Sequence, residues 1–241
     1  KWFQNTSGGS TGEPVTLIQD SVYHDWIMAI KQLQYGWSGL NAGDCQVRLW
    51  GSARDLLVGR ETPRVRLARY LRHEVWINAF RMTPDRMRAA VSTINRRKPR
   101  QILAYAGAAH ELARCIERED LSVHPPASIM TSADVLFPEM RRTIERVFRA
   151  PVFDRYGTRE VGDIACECEA HNGLHISAPI HYVEILRPDG YPAQRGEMGE
   201  LVVTLLVNYS MPLIRYRIGD MASWSDATRC DNRRVNGAVD R

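Results

Sequence analysis

Lysine is nearly missing from this chain. It occurs only as Lys1, Lys31 and Lys98, every other basic side chain is arginine, and nothing after Arg100 offers an ammonium group. Chemistry that needs a lysine nucleophile or point charge is therefore excluded from everything beyond Arg100. Cysteine is also scarce: five residues, odd in number and unevenly spaced, exclude a disulfide framework. Cys45 and Cys115 sit among apolar neighbours and read as core thiols. Long apolar runs are absent too. The longest, Leu201 to Val207, is strand-sized and interrupted by Thr204, which excludes a membrane-crossing helix in this stretch. The first residues, Lys1-Trp2-Phe3-Gln4-Asn5, carry no apolar signal segment, so a cytoplasmic location is expected.

What is present is an ordinary globular composition: 44% apolar and 25% charged residues over 241 positions, with a mild net charge of +4. That length accommodates one large domain or two small ones. Asp20 to Gln34 has helical periodicity, with Val22, Trp26, Ile30 and Leu33 on one face. Gln46 to Trp50 reads as a short strand. Thr83-Pro84-Asp85 starts a helix that is expected to run to about Arg97 and stop before Pro99. Strand and helix then alternate: Ile102 to Tyr105, Ala109 to Arg118, Ser128 to Thr131, Pro138 to Arg149 and Pro151 to Tyr156. Such alternation predicts an α/β fold, a mainly parallel sheet flanked by helices, with binding residues at the carboxyl ends of its strands. After Gly162 the texture changes to strands joined by turns such as Pro188-Asp189-Gly190, namely Leu174 to Ser177, Tyr182 to Leu186 and Glu200 to Leu206. A smaller β-rich subdomain is therefore expected from residue 163 to 241, behind an α/β part covering residues 1 to 162.

Three short constellations carry chemistry. Thr6-Ser7-Gly8-Gly9-Ser10-Thr11-Gly12 combines three glycines, which let backbone N–H groups approach phosphate oxygens, with hydroxyl donors. It is not a Walker A loop, because Glu13-Pro14 follows instead of lysine and Ser/Thr; by itself it equally has the composition of a flexible linker. Tyr156-Gly157-Thr158-Arg159-Glu160 follows a strand and offers a ring, a hydroxyl and a carboxylate. Ile214-Arg215-Tyr216-Arg217-Ile218-Gly219-Asp220 ends on a Gly-Asp turn whose carboxylate can accept two ribose hydroxyls, beside arginines able to neutralise phosphate.

In this order the three constellations resemble the adenylate-forming superfamily, with its Ser/Thr/Gly phosphate loop, Tyr-Gly-x-Thr-Glu motif and Tyr-Arg-x-Gly-Asp motif. The stretches Thr6 to Pro14, Phe153 to Gly162, Gly173-Leu174-His175 and Gly199 to Asp220 are most similar to the phenylacetate–coenzyme A ligase branch and its capsular-polysaccharide-biosynthesis-type relatives. The threonine of the second motif stands one place early, as Thr158, with Arg159 in its usual position.

The resemblance implies the truncated N-terminal domain of such an enzyme, without the mobile C-terminal lid that brings a catalytic lysine. It implies ATP-dependent adenylation of a carboxylic acid, an aryl acid being the expected class, followed by transfer to coenzyme A, with a non-CoA acceptor in surface-polysaccharide biosynthesis as the alternative. ATP, Mg²⁺ and coenzyme A are the implied cofactors. Ser7, Gly8, Ser10, Thr11 and Gly12, with Thr6 and Gly9 in the same loop, would hold the β- and γ-phosphates. Ser132-Ala133-Asp134 matches the adenine-side loop, and Tyr156, followed by Gly157 and Thr158, would stack on adenine. Asp220 would hold the ribose, Glu160 would bind Mg²⁺, and Arg217 would act beside it on charge at the reacting phosphate. Tyr35, Trp37 and Trp50 are candidates for the wall of an acid pocket.

Cys166, Cys168, His171 and His175 fall in one short stretch, and thiolate with imidazole suits tetrahedral zinc. The resemblance singles out Cys168, His175 and Cys230 as ligands; Asn232 stands in the fourth place, which Cys166 or His171 would fill. Arg96-Arg97-Lys98-Pro99-Arg100, Arg141-Arg142 and Arg233-Arg234 raise the alternative of a non-catalytic basic binding module for nucleic acid or another anion. Glu139 and Glu145 nearby favour a solvated helix face, and neither nucleic acid nor a membrane is an expected partner.

Overall fold

The computed structural model describes residues 1–6, 15–51, 62–80, 82–225 and the backbone of 238–240. Its elements run β1 (Trp2–Thr6), β2 (Thr16–Asp20), α1 (Ser21–Trp37), β3 (Gln46–Leu49), α2 (Pro63–Leu71), β4 (Glu74–Ile77) and α3 (Pro84–Arg97). Then follow β5 (Gln101–Tyr105), α4 (Ala106–Arg118), β6 (Ser128–Ser132), α5 (Pro138–Phe148) and β7 (Val152–Thr158). The rest is β8 (Gly162–Cys166), β9 (Leu174–Ile176), β10 (His181–Leu186), β11 (Gly199–Leu205), β12 (Tyr216–Trp224) and β13 (Ala238–Asp240). No helix among the described residues is long and apolar enough to cross a membrane. The chain divides into two units, Tyr35–Asp154 and Lys1–Gln34 with Arg155–Arg241.

The unit Tyr35–Asp154 is the expected parallel α/β layer. β3 pairs in parallel with β4 and β5, β5 with β6, and β6 with the first residues of β7. Val47, Leu49, Ile102, Ile129 and Val152 form the buried sheet face, covered by Met87, Val91 and Ile94 of α3, Leu112 and Ile116 of α4, and Ile144 and Phe148 of α5. The i, i+3, i+4, i+7 spacing of Met87, Ala90, Val91 and Ile94 puts all four on the face of α3 that meets the sheet. Fully burying side chains such as Leu112 or Phe148 contributes about 1.5–3 kcal/mol each. Polar residues pin the amino ends of the strands: Gln46 Nε2 donates to Gln101 Oε1 at 2.6 Å, and Gln101 Nε2 donates to Ser38 Oγ at 2.6 Å. With its polar atoms paired inside, this ladder sets the register of β3 against β5.

The other unit is antiparallel. Its strands lie in the order β10-β11-β12-β13-β9-β8-β7, and β1 and β2 form a separate ribbon. α1 packs on this unit through Tyr23, Ile27 and Ile30, with Gln34 buried on the same face. The helix is where the sequence puts it, but its buried face is not. Val22, Trp26 and Leu33 are 51%, 42% and 50% exposed, and only Ile30 of the expected stripe is inside. The helix carries two apolar stripes, and the choice between them is made by its neighbour: Gly162 lacks the Cβ that would lie 2.3 Å from Ile27 Cδ1 and 2.9 Å from Tyr23 Oη.

The division between units also differs from the break read at residue 162. β7 pairs in parallel with β6 as far as Asp154 and antiparallel with β8 from Arg155, so the change of partner comes before the change of sequence texture. The first 34 residues join the antiparallel unit, because the inner face of α1 and the ribbon have their contacts there.

Candidate functional site

The second constellation lies on the β7–β8 hairpin. Arg155 pairs with Cys166 and Tyr156 with Ala165; a register shift then brings Gly157 opposite Asp163 and Thr158 opposite Gly162. A Cβ on Gly157 would meet Gly162 O at 2.5 Å and Asp163 Cα at 2.9 Å, so the crossing backbones exclude any larger residue. Thr158 Oγ1 accepts from Val161 N at 3.3 Å and closes the turn that presents Glu160. The hairpin is held from outside as well. His181, buried at the start of β10, donates from Nε2 to Val161 O at 2.7 Å, and burial depresses its basicity, partly opposed by that bond and by Asp163. Asp163 lies 3.7 Å from Arg155 Nε and 3.8 Å from Lys31 Nζ.

Tyr156 joins the hairpin to the third constellation. Its ring is buried in the core of this unit, and its hydroxyl donates to Asp220 Oδ2 at 2.5 Å. Gly219, at φ +91°, supplies the left-handed residue that turns Asp220 toward it. The half-buried Glu160 lies near enough to Tyr23 and Tyr216 that its negative charge raises both phenols, after burial, which is the larger cause in each. Tyr156, Glu160 and Asp220 are thus gathered in one unit. Arg217 is 66% exposed on its side chain and pairs with Glu200 at 2.9 Å, while Arg215 pairs with Glu184 at 3.1 Å.

The strand behind the first constellation is tied to both of these. Gln19 of β2 donates to Arg159 O at 3.2 Å. Asn208, in the loop before β12, donates to Ile18 O at 2.9 Å and Met211 O at 3.2 Å, and Ser210 Oγ donates to Asp20 Oδ2 at 3.2 Å. Asp20 also caps α1 by accepting from Tyr23 N at 2.8 Å, and that bond lowers its pKa. Thr6 closes β1 opposite Thr16 of β2. Ser7, Gly8, Gly9, Ser10, Thr11 and Gly12 lie outside the described residues.

Ser132, Ala133 and Asp134 belong to the parallel unit, at the carboxyl end of β6. Ala133 adopts φ +73°, and Asp134 Oδ2 accepts from Gly107 N at 3.2 Å. Tyr105, the N-cap residue of α4, makes no side-chain cap, so Asp134 supplies the acceptor and the negative charge favoured there. Nearby, the rings of Trp50 and Tyr105 stack at 4.3 Å and 19° at the carboxyl ends of β3 and β5. Tyr35 is a core residue whose hydroxyl accepts from Arg48 Nη2 at 3.2 Å.

No protein-family model matches the chain. It is 39% identical over 101 residues to the phenylacetate–coenzyme A ligase of Escherichia coli K12, covering 40% of this chain and 23% of that protein. It is 25% identical over 219 residues to protein CapK of Staphylococcus aureus, covering 89% and 46%. A crystal structure of 2-hydroxyisobutyryl-CoA ligase in complex with 2-HIB-AMP and CoA superposes with a TM-score of 0.70 at 19% identity, over 92% of this chain and 52% of that one. The amide bond synthetase McbA of Marinactinospora thermotolerans does so with a TM-score of 0.67 at 14% identity, over 99% and 48%. The fold is that of the adenylate-forming enzymes. In sequence the chain resembles their phenylacetate–coenzyme A ligase and CapK branch, and it spans less than half the length of these curated relatives.

The cysteine and histidine residues between positions 166 and 175 do not gather into one group. Cys168 Sγ and His175 Nε2 are 3.0 Å apart and buried, and His171 Nδ1 lies 3.1 Å from Glu167 Oε2. Among the described residues no group of three or more metal-binding side chains occurs. Cys230 lies outside them, although β13, just beyond it, pairs Ala238 with His175. Arg141, from the basic clusters, donates to Val152 O at 2.5 Å and lies 3.9 Å from Glu145, as a helix-face residue does. Gln19, Asn208 and His181 were not singled out from sequence. Each has a bond to a residue at least 20 positions away, and neither periodicity nor motif marks them.

Proposed function

We propose that the chain is the nucleotide-binding part of an ATP-dependent acid–coenzyme A ligase. The observation that carries this reading is the 2.5 Å bond from Tyr156 to Asp220, which unites two motifs 64 residues apart, with Glu160 on the same hairpin. In this reading Ser7 to Gly12 hold the β- and γ-phosphates. Asp220 accepts the ribose hydroxyls. Glu160, a half-buried carboxylate facing phenols, offers the hard oxygen ligand that suits Mg²⁺; the ion would neutralise phosphate charge there. Arg217 is released from Glu200 to meet phosphate. The substrate carboxylate attacks the α-phosphorus, giving an acyl-adenylate as pyrophosphate leaves, and a thiol then attacks the acyl carbon and AMP leaves. The protein contributes position and charge in the first step.

An aryl acid is the class we assign, on the similarity to phenylacetate–coenzyme A ligase. Zinc, held by Cys168, His175 and Cys230, is the structural metal of this reading; the buried thiol and imidazole fit it as two of four ligands. The alternative acceptor, a group of a surface polysaccharide in place of coenzyme A, rests on the resemblance of the sequence motifs alone.

The test is calorimetric titration of the chain with ATP, with and without Mg²⁺, against Asp220→Ala. Binding that strengthens with Mg²⁺ and falls at least tenfold in the variant is expected. Equal affinity in the two proteins overturns the site.

A further inference from the structure

α2 is a helix that the nucleotide reading leaves unused. None of its residues is buried, although it is a well-started helix: Thr62 Oγ1 accepts from Val65 N at 3.4 Å, and Pro63 stands in the first turn. At its end the Arg72 backbone N–H bonds to Ala68 and Tyr70 carbonyls. From Thr62 to His73 there is no acidic residue, but there are Arg64, Arg66, Arg69 and Arg72.

The helix is attached the wrong way round for a soluble surface. Arg69 faces inward, its guanidinium 3.9 Å from the centre of the Trp76 ring on β4. At about 100° per residue, Leu67 and Leu71 then point away from the sheet, with Arg64 on the line of Leu71 two turns earlier and Tyr70 on one flank, while the exposed Arg66 and Arg72 lie about 60° to either side of Arg69. Leu67, Tyr70 and Leu71 are accordingly 57%, 75% and 70% exposed. This is a convex apolar ridge edged with arginine.

We infer that α2 is a contact site for an anionic lipid leaflet. Such a leaflet accepts Leu67, Leu71 and Tyr70 at the level of the headgroups, while Arg64, Arg66 and Arg72 extend to lipid phosphates. Charge complementarity decides for this occupant. The ridge carries no carboxylate to neutralise its arginines, so an apolar protein groove closing over it would strip them of water without compensation. A leaflet supplies negative charge on every side of the ridge and needs no matching shape. The association is peripheral and reversible, and it is independent of the reaction.

Sedimentation of the chain with phosphatidylcholine vesicles, with and without phosphatidylserine, tests this. Binding is expected only with phosphatidylserine, weakening as salt rises. Arg64→Gln and Arg66→Gln should each lower it roughly fivefold, and Leu67→Ser with Leu71→Ser should abolish it. All four positions are exposed, and an unchanged thermal melt confirms that the variants fold. No binding to phosphatidylserine vesicles at low salt, or equal binding to neutral ones, overturns the inference. So does binding that survives Leu67→Ser with Leu71→Ser and is displaced by soluble polyglutamate, which would indicate an acidic protein partner instead.

Discussion

Tyr156 donates its hydroxyl to the Asp220 carboxylate at 2.5 Å, from inside the core to a residue on the surface. The bond fixes both the ring and the turn, so Tyr156→Phe separates the two contributions. The ring remains packed, and the loss of one hydrogen bond to a partly solvated carboxylate should cost about 1 kcal/mol in urea unfolding. Asp220 loses its orientation, and ATP affinity should fall several-fold in calorimetry. Unchanged affinity in Tyr156→Phe would show that the bond does not preorganise Asp220.

Asn208 is the buried residue through which the loop before β12 grips β2, beside the exposed bond from Ser210 to Asp20. Its amide donates to two carbonyls in a buried position, so Asn208→Ala should destabilise the chain by about 1–3 kcal/mol. Asn208→Asp should be worse than Asn208→Ala. It places a carboxylate against two carbonyl oxygens, with no donor left and a charge to bury. The order of the two urea midpoints checks this; an aspartate variant as stable as wild type would remove Asn208 from the anchor.

Much of this was legible in the sequence where the determinants are local. The parallel strands β3, β5, β6 and β7 and the helices α3, α4 and α5 follow from alternating periodicities and prolines, whereas the short α2 and β4 between them were not read from the sequence; the order of three short motifs led to the fold. α1 was visible as a helix, but its buried face was not, because Tyr23/Ile27/Ile30 and Val22/Trp26/Leu33 are both apolar stripes and Gly162, far along the chain, selects between them. β8 and β12 were missed because their residues do not alternate cleanly between buried and exposed. The anchors Gln19 and Asn208 bridge 140 and 190 residues, a distance at which sequence pattern carries no information. One short stretch brings Cys166, Cys168, His171 and His175 together in the sequence, and the family resemblance, not the spacing, singles out Cys168 and His175, whose side chains lie 3.0 Å apart.

Two glycines with different problems give a contrast. At Gly157 a methyl group would strike backbone atoms of Gly162 and Asp163, which cannot move without opening the hairpin. Gly157→Ala should therefore cost roughly 3 kcal/mol or more. Gly190 has φ +84° but open space around it, so Gly190→Ala should cost only the left-handed backbone penalty, about 1–2 kcal/mol. Thermal unfolding of both variants ranks them. A milder effect at Gly157 than at Gly190 would contradict the close crossing of β7 and β8.

His181 makes stability depend on pH in one direction. Burial holds its folded pKa below the ordinary 6.5, despite the opposing pull of Asp163 and of the Val161 and Ser177 carbonyls. The unfolded chain therefore takes up a proton in a range where the folded chain does not. Its contribution is fully present above pH 6.5 and is lost as the pH falls below that value. Urea unfolding at about pH 7.5 and about pH 5.5 should show the wild type weakened at the lower pH. His181→Gln, which keeps an N–H for Val161 O but cannot titrate, should lose less stability between the two conditions. If both proteins weaken equally, the acid sensitivity belongs to other groups and His181 is not a buried neutral histidine.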